Sequence, residues 1–241
     1  MKQNRTDAAK PLCGTFTDEG PMPPPMKNRT ELVFILDRSG SMAGLEGDTI
    51  GGYNAMLKKQ QAASGEATVT TVLFSDGYEL LHDRIDIHAV RPLTESEYFV
   101  GGCTALLDAI GRTIHKMVNV QRHSAAGHRA ERVLFVITTD GLENASREFT
   151  PAQIRAMVER QKQAFDWEFL FLGANIDAIA TAEQFGIHPS RAVNYHADAK
   201  GTQVSYDTVC EAVSEFRACG CVAEDWKAPI ETDHRTRSRK P

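Results

Sequence analysis

Beyond residue 28 the chain alternates between short apolar runs and longer stretches whose apolar positions recur every three or four residues. Residues 31–36 carry Leu32, Val33, Phe34, Ile35 and Leu36 without a break, the pattern of a central parallel strand covered on both faces. Ile50, Tyr53, Asn54 and Leu57 then repeat at helical spacing. Residues 67–74, rich in Val and Thr, predict a second strand. The turn Ser75-Asp76-Gly77 follows, so residues 78–87 are expected to fold back antiparallel at a sheet edge. Leu107, Ile110, Ile114, Met117 and Val118 mark a long amphipathic helix, and residues 132–138 another buried strand. Thr150-Pro151 opens the next helix with a capping residue and a first-turn proline; its apolar face is Ile154, Met157, Val158 and Phe165. A strand over 167–172 ending at Gly173, a short helix over 177–185 stopped by Gly186, and a short strand over 191–195 come next. A last helix is faced by Val209, Val213 and Phe216.

This alternation predicts an α/β fold: a doubly wound, mostly parallel central sheet of about six strands, one of them an antiparallel edge strand, with helices on both faces. The globular domain is expected over residues 29–220. Residues 1–28 are polar, run into Pro21-Met22-Pro23-Pro24-Pro25, and read as a disordered leader. Residues 221–241 carry Arg235, Arg237, Arg239 and Lys240 without apolar periodicity and read as a basic, disordered tail.

Composition narrows the function. A net charge of −5 over 241 residues argues against general nucleic-acid affinity. No stretch approaches the roughly 20 apolar residues that span a bilayer, so no membrane contact is expected. The start of the chain has no apolar segment behind its basic residues, so no secretory signal is expected. Five cysteines, an odd number without framework spacing, suggest reduced thiols in a cytoplasmic protein. Cys219-Gly220-Cys221 is read as two thiols at a helix end, because no second Cys or His pair lies nearby to make a metal site.

The chemistry concentrates at Asp37-Arg38-Ser39-Gly40-Ser41, directly after the first strand. One carboxylate and two hydroxyls on alternate positions form a set of hard oxygen donors, of the kind Mg²⁺ and Mn²⁺ favour. Ligands of doubly wound sheets bind beyond the carboxyl ends of the strands, where strand order reverses, and Asp37 sits at such an end. It is expected to contribute little to the core. Two other loops fall where the same sheet edge would gather them. Gly101-Gly102-Cys103-Thr104 precedes the long helix, and Thr104 taken alone reads as its N-cap. Thr138-Thr139-Asp140-Gly141 ends the strand over 132–138, and Asp-Gly there taken alone reads as a turn.

Asp37, Ser39, Ser41, Thr104 and Asp140, on three loops in this order, resemble the metal-ion-dependent adhesion site of the von Willebrand factor A domain family, of the bacterial intracellular type. The resemblance covers residues 29–220. It implies that Ser39 and Ser41 coordinate a cation directly and that Thr104 does so directly or through water. Asp37 and Asp140 then supply negative charge, at least one of them through water. It implies Mg²⁺, or Mn²⁺ or Ca²⁺, as the cofactor. It also implies a protein partner whose Asp or Glu completes the coordination. The loops 141–146 and 173–175 are expected to form the rim of the site.

The alternative is an Mg²⁺-dependent hydrolase or phosphatase of similar topology. That chemistry wants a second acid two residues after the first, and here the position is Ser39. No phosphate loop ending in Lys-Ser or Lys-Thr, no Gly-x-Ser-x-Gly frame around Ser39 or Ser41, and no paired His spacing is present. The expected function is therefore a metal-dependent interaction module and not an enzyme.

Overall fold

The computed structural model describes residues 29–125 and 128–238, so the leader expected over 1–28 lies outside the described residues. Six strands form one sheet: β1 (Thr30–Asp37), β2 (Ala67–Phe74), β3 (Tyr78–Asp86), β4 (Arg132–Thr139), β5 (Glu168–Ala174) and β6 (Ala192–Tyr195). Their order is β3-β2-β1-β4-β5-β6, parallel throughout except for the β2–β3 hairpin. Strand order reverses at β1, which pairs β2 on one side and β4 on the other, with Leu36 opposite Thr138.

The helices are α1 (Glu46–Ala62), α2 (Leu106–His123), α3 (Pro151–Phe165), α4 (Ala178–Gln184), α5 (Ala199–Cys219) and α6 (Ala228–Ser238). Side chains alternate across the sheet with period two. Leu32, Phe34, Leu36, Leu134 and Val136 face one core with Tyr53 of α1 and Val213 of α5. Val33, Ile35, Val133, Phe135 and Ile137 face the other with Ile110 of α2 and Ile154 of α3. Both faces of β1 are therefore dry, which is why its sequence is a continuous apolar run. Thr150 caps α3 through the backbone of Gln153, whose side chain returns to the Thr150 N–H. No helix of the described residues is long and apolar enough to cross a membrane.

The C-terminal expectation fails. The segment read as a disordered tail holds α6, which packs against α5 and β6. The segment's buried apolar side chains are Val222, Trp226 and Ile230, four residues apart in succession, and only Ile230 lies within α6, too sparse to register as periodicity. Hydrogen bonds hold the rest. Trp226 Nε1–H donates to the Ser190 carbonyl at 2.8 Å, and Lys227 Nζ to the carbonyls of Pro189 at 2.8 Å and Ala192 at 2.9 Å. Arg237, counted as a tail charge, pairs with Asp198 at the start of α5 and with Asp233.

Candidate metal centre

β1 and β4 end side by side, and this places the Asp37 loop against Asp140. Asp37 is not peripheral: it is 1% exposed. Its Oδ1 accepts the Ser39 N–H at 2.7 Å and its Oδ2 accepts the Thr139 hydroxyl at 2.6 Å. The buried Tyr98 hydroxyl donates to the Asp37 carbonyl. Both carboxylate oxygens are thus engaged within the protein, and the loop that follows is fixed by its first residue.

Beyond Asp37 the hydroxyls form a directed chain. Ser41 Oγ–H donates to Asp140 Oδ1 at 2.5 Å, so the 3.0 Å contact between Ser39 and Ser41 takes its proton from Ser39. Asp140 is 2% exposed, and its Oδ2 is buried without a hydrogen-bond partner. Burial pushes the carboxyls of both Asp37 and Asp140 above the ordinary carboxylate range, against the pull of their hydrogen bonds. The charge of Asp37 also raises Asp140, adding to burial.

Thr104 arrives from the third loop. It does not cap α2: the helix starts at Leu106 after Ala105, with no side-chain cap. The Thr104 backbone is clamped instead by Asn144, whose Oδ1 accepts the Thr104 N–H at 2.9 Å and whose own N–H donates to the Thr104 carbonyl at 3.1 Å. This leaves the hydroxyl free to face the site. A Cβ built on Gly141 would lie 3.0 Å from Ser41 Oγ, 3.0 Å from Thr104 Oγ1 and 3.9 Å from Ser39 Oγ. Three hydroxyls therefore converge on a single point, beside an unpaired buried carboxylate oxygen.

All five residues marked in the sequence meet here. Ser39, Ser41, Thr104, Gly141, Leu142, Asn144 and Asn175 line one open pocket, so both expected rim loops reach it. Sequence reasoning missed the supporting residues. Thr139 stood inside a motif already singled out, and only its contact with Asp37 gives it a role. Glu143 accepts the backbone N–H groups of Leu107, Ala145 and Ser146, and Asp108 those of Arg147, Glu148 and Phe149. Together they tie the loop after Asp140 to the start of α2. No pattern in the chain announces contacts between segments about 40 positions apart.

The donor set fits a small hard cation. Among the described residues no group of three or more His, Cys, Asp or Glu is placed to hold a metal, so a cation here depends on hydroxyl oxygens as well as carboxylates. Such a cation would offset the like charges of Asp37 and Asp140 and give Asp140 Oδ2 the partner it lacks.

No family model matches the chain, and no curated protein matches it in sequence. Its fold does match solved structures. Proximal thread matrix protein 1 from the mussel byssus, with a zinc-occupied metal-ion-dependent adhesion site, superposes with a TM-score of 0.54 at 12% identity, covering 79% of this chain and 48% of that one. The ArnB paralog VWA2 from Sulfolobus acidocaldarius gives 0.50 at 16% identity over 78% and 46%. The pilus adhesin SpaC from Lactobacillus rhamnosus GG, in its open conformation, gives 0.56 at 11% identity over 78% and 30%. The chain thus spans less than half the length of these proteins. At such identities the likeness is one of fold, and the fold is that of a von Willebrand factor A domain.

Proposed function

We propose that this chain is a protein-interaction module in which a divalent cation, held by Asp37, Ser39, Ser41, Thr104 and Asp140, captures a carboxylate of a partner protein. The observation that carries the reading is the convergence of three hydroxyls beside the unpaired Asp140 Oδ2 in a pocket open to solvent. Mg²⁺ is the preferred ion, with Mn²⁺ or Ca²⁺ as substitutes, because every donor is a hard oxygen. Bound there, the cation supplies an electrophile with a free position for an anionic oxygen. Ser39 and Ser41 hold it through neutral oxygens. Asp37, whose two oxygens are already engaged, orients the Ser39 backbone and contributes charge from behind.

The surroundings suit docking. Phe99 and Leu142, 61% and 65% exposed, are two of the three exposed large apolar side chains among the described residues. Both sit on loops at this edge. Phe99 lies under the Arg38 guanidinium at 4.7 Å, and the loop behind it is bonded to the Asp37 loop through Gly101 N–H to the Arg38 carbonyl at 2.9 Å. An acidic partner residue flanked by apolar ones complements this rim. The module binds and does not catalyse: Ser39 occupies the position where a phosphoryl-transfer hydrolase needs its general acid. The reading includes a cytoplasmic location, which rests on the cysteine pattern.

Ser41→Ala tests the site, because Ser41 is exposed and its loss leaves the core intact. Calorimetric titration with Mg²⁺ and Mn²⁺ is expected to show affinity reduced on the order of 10–100-fold, and unchanged affinity sinks the metal site. Partner capture from the native cell is expected to depend on Mg²⁺, to vanish in EDTA and to fail with Ser41→Ala. Metal-dependent turnover of a phosphate or ester substrate that is lost in Asp37→Asn overturns the interaction reading.

A further inference from the structure

A second site lies at the other end of the sheet. Arg132, which begins β4, donates from Nη1 to the carbonyl of Arg217 in the last turn of α5 at 2.8 Å. The metal loops lie beyond the opposite end of that strand, roughly 23 Å away at the rise of a parallel strand. Here α5 ends at Cys219, Gly220 closes it in the left-handed conformation at φ 79°, and Cys221 follows. The Gly220 N–H returns to the Phe216 carbonyl at 2.8 Å. A side chain at this position would be strained by φ, and its Cβ would meet Arg132 Nε at 2.9 Å.

The turn folds the chain back on itself and sets Cys219 Sγ 2.9 Å from Cys221 Sγ, with both residues exposed. Its frame is fixed on either side. Phe216 and Val222 are buried, Arg191 donates to the carbonyls of Val222 at 2.9 Å and Ala223 at 3.1 Å, and the Ala223 N–H donates to Glu215 Oε2 at 3.1 Å. The sulfurs need only a small side-chain rotation to reach a bond length of about 2.05 Å.

We infer that Cys219 and Cys221 form a thiol–disulfide exchange site for low-molecular-weight disulfides of the glutathione class. One cysteine thiolate attacks the disulfide, forms a mixed disulfide and releases one small thiol. The second cysteine then attacks the protein-side sulfur, closes the Cys219–Cys221 bond and releases the other small thiol. Two electrons pass from the pair to the disulfide, and the two cysteine protons leave on the released thiols. The contact with Cys219 raises the Cys221 thiol above its ordinary range. A loop this short adds little chain-entropy stabilisation, which argues against a structural staple, and exposed bonds of this kind are the exchangeable ones. The site stands apart from the metal reading.

The test is made on the full chain, incubated with glutathione disulfide, acid-quenched, alkylated and cleaved after Lys and Arg. Cleavage gives the peptide 218–227, which holds both cysteines and no other. It is expected to appear lighter by two hydrogens, with no alkyl group and no glutathione. Cys103, exposed and with no partner sulfur among the described residues, is expected to carry glutathione and serves as the internal control. Cys221→Ser is expected to trap a stable glutathione adduct on Cys219. Two alkylated thiols in the wild-type peptide while Cys103 is modified, a persistent glutathione adduct on the wild-type pair, or disulfides between two chains would each overturn the proposal.

Discussion

Gly141→Ala places a methyl group at the point on which the three hydroxyls converge. Its Cβ would stand 3.0 Å from both Ser41 Oγ and Thr104 Oγ1, tight enough to require shifts of a few tenths of an ångström and no more. Gly141 does not have a positive φ, so alanine meets no backbone strain. Reduced freedom of the unfolded chain stabilises by roughly 0.4–1 kcal/mol and offsets the close contacts, so the metal-free stability is expected to change by no more than about 1 kcal/mol. Metal binding responds differently. A cation at about 2.0–2.1 Å from hydroxyl oxygens and a carbon about 3 Å from the same oxygens cannot share that space. Affinity is expected to fall on the order of 100-fold, about 2.8 kcal/mol. Thermal unfolding reads this directly. At a Mg²⁺ concentration of about 100 times the wild-type Kd, the wild type gains about 2.7 kcal/mol, or about 5–11 °C for a domain of this size. The variant, now near its own Kd, gains about 0.4 kcal/mol, or about 1–2 °C. An equal Mg²⁺-induced shift in both proteins refutes the placement of the cation among these hydroxyls.

Two further outcomes follow from the same physics. Asp37 and Asp140 lie above their ordinary value in the metal-free fold, so the fold holds their protons more tightly than the unfolded chain does. Metal-free stability from these groups is therefore expected to rise as pH falls through the raised values toward about 3.8, while Mn²⁺ affinity falls over the same window. Asp140→Asn should flatten part of the stability change and abolish binding, as followed by denaturation and calorimetry against pH; an unchanged profile removes Asp140 from the site. Ile230→Ala, at a position 1% exposed, is expected to cost roughly 2–5 kcal/mol in denaturant unfolding if α6 belongs to the core. A change within about 0.5 kcal/mol would return that segment to the status of a tail.

The legibility of this chain follows the range of its interactions. β1, β4 and β5 could be read because a strand covered on both faces is a near-continuous apolar run, and β2 because it is rich in the β-branched Val and Thr. The β2–β3 hairpin and the α3 cap could be read because their determinants lie within a few residues of one another. α6 escaped because Ile230 is its one buried apolar residue, with Trp226 just before it, and the other anchors of this segment, the carbonyls of Pro189, Ser190 and Ala192 and the carboxylate of Asp198, lie about 30 to 40 positions away.

The candidate site divides along the same line. Donor chemistry alone pointed to Asp37, Ser39 and Ser41, and the resemblance to a metal-ion-dependent adhesion site added Thr104 and Asp140 to the candidate set. What each one does was decided only in three dimensions. Strand order β2-β1-β4 brings the carboxyl ends of β1 and β4 together, Thr139 and Ser39 occupy both oxygens of Asp37, and Asn144 clamps the backbone of Thr104, which does not cap α2. The turn at Gly220 likewise makes two thiols that sequence alone reads as incidental into a facing pair. A sequence specifies donor chemistry and local periodicity directly, whereas the pairing of distant groups and the burial that shifts their charge exist only after the sheet has closed around them.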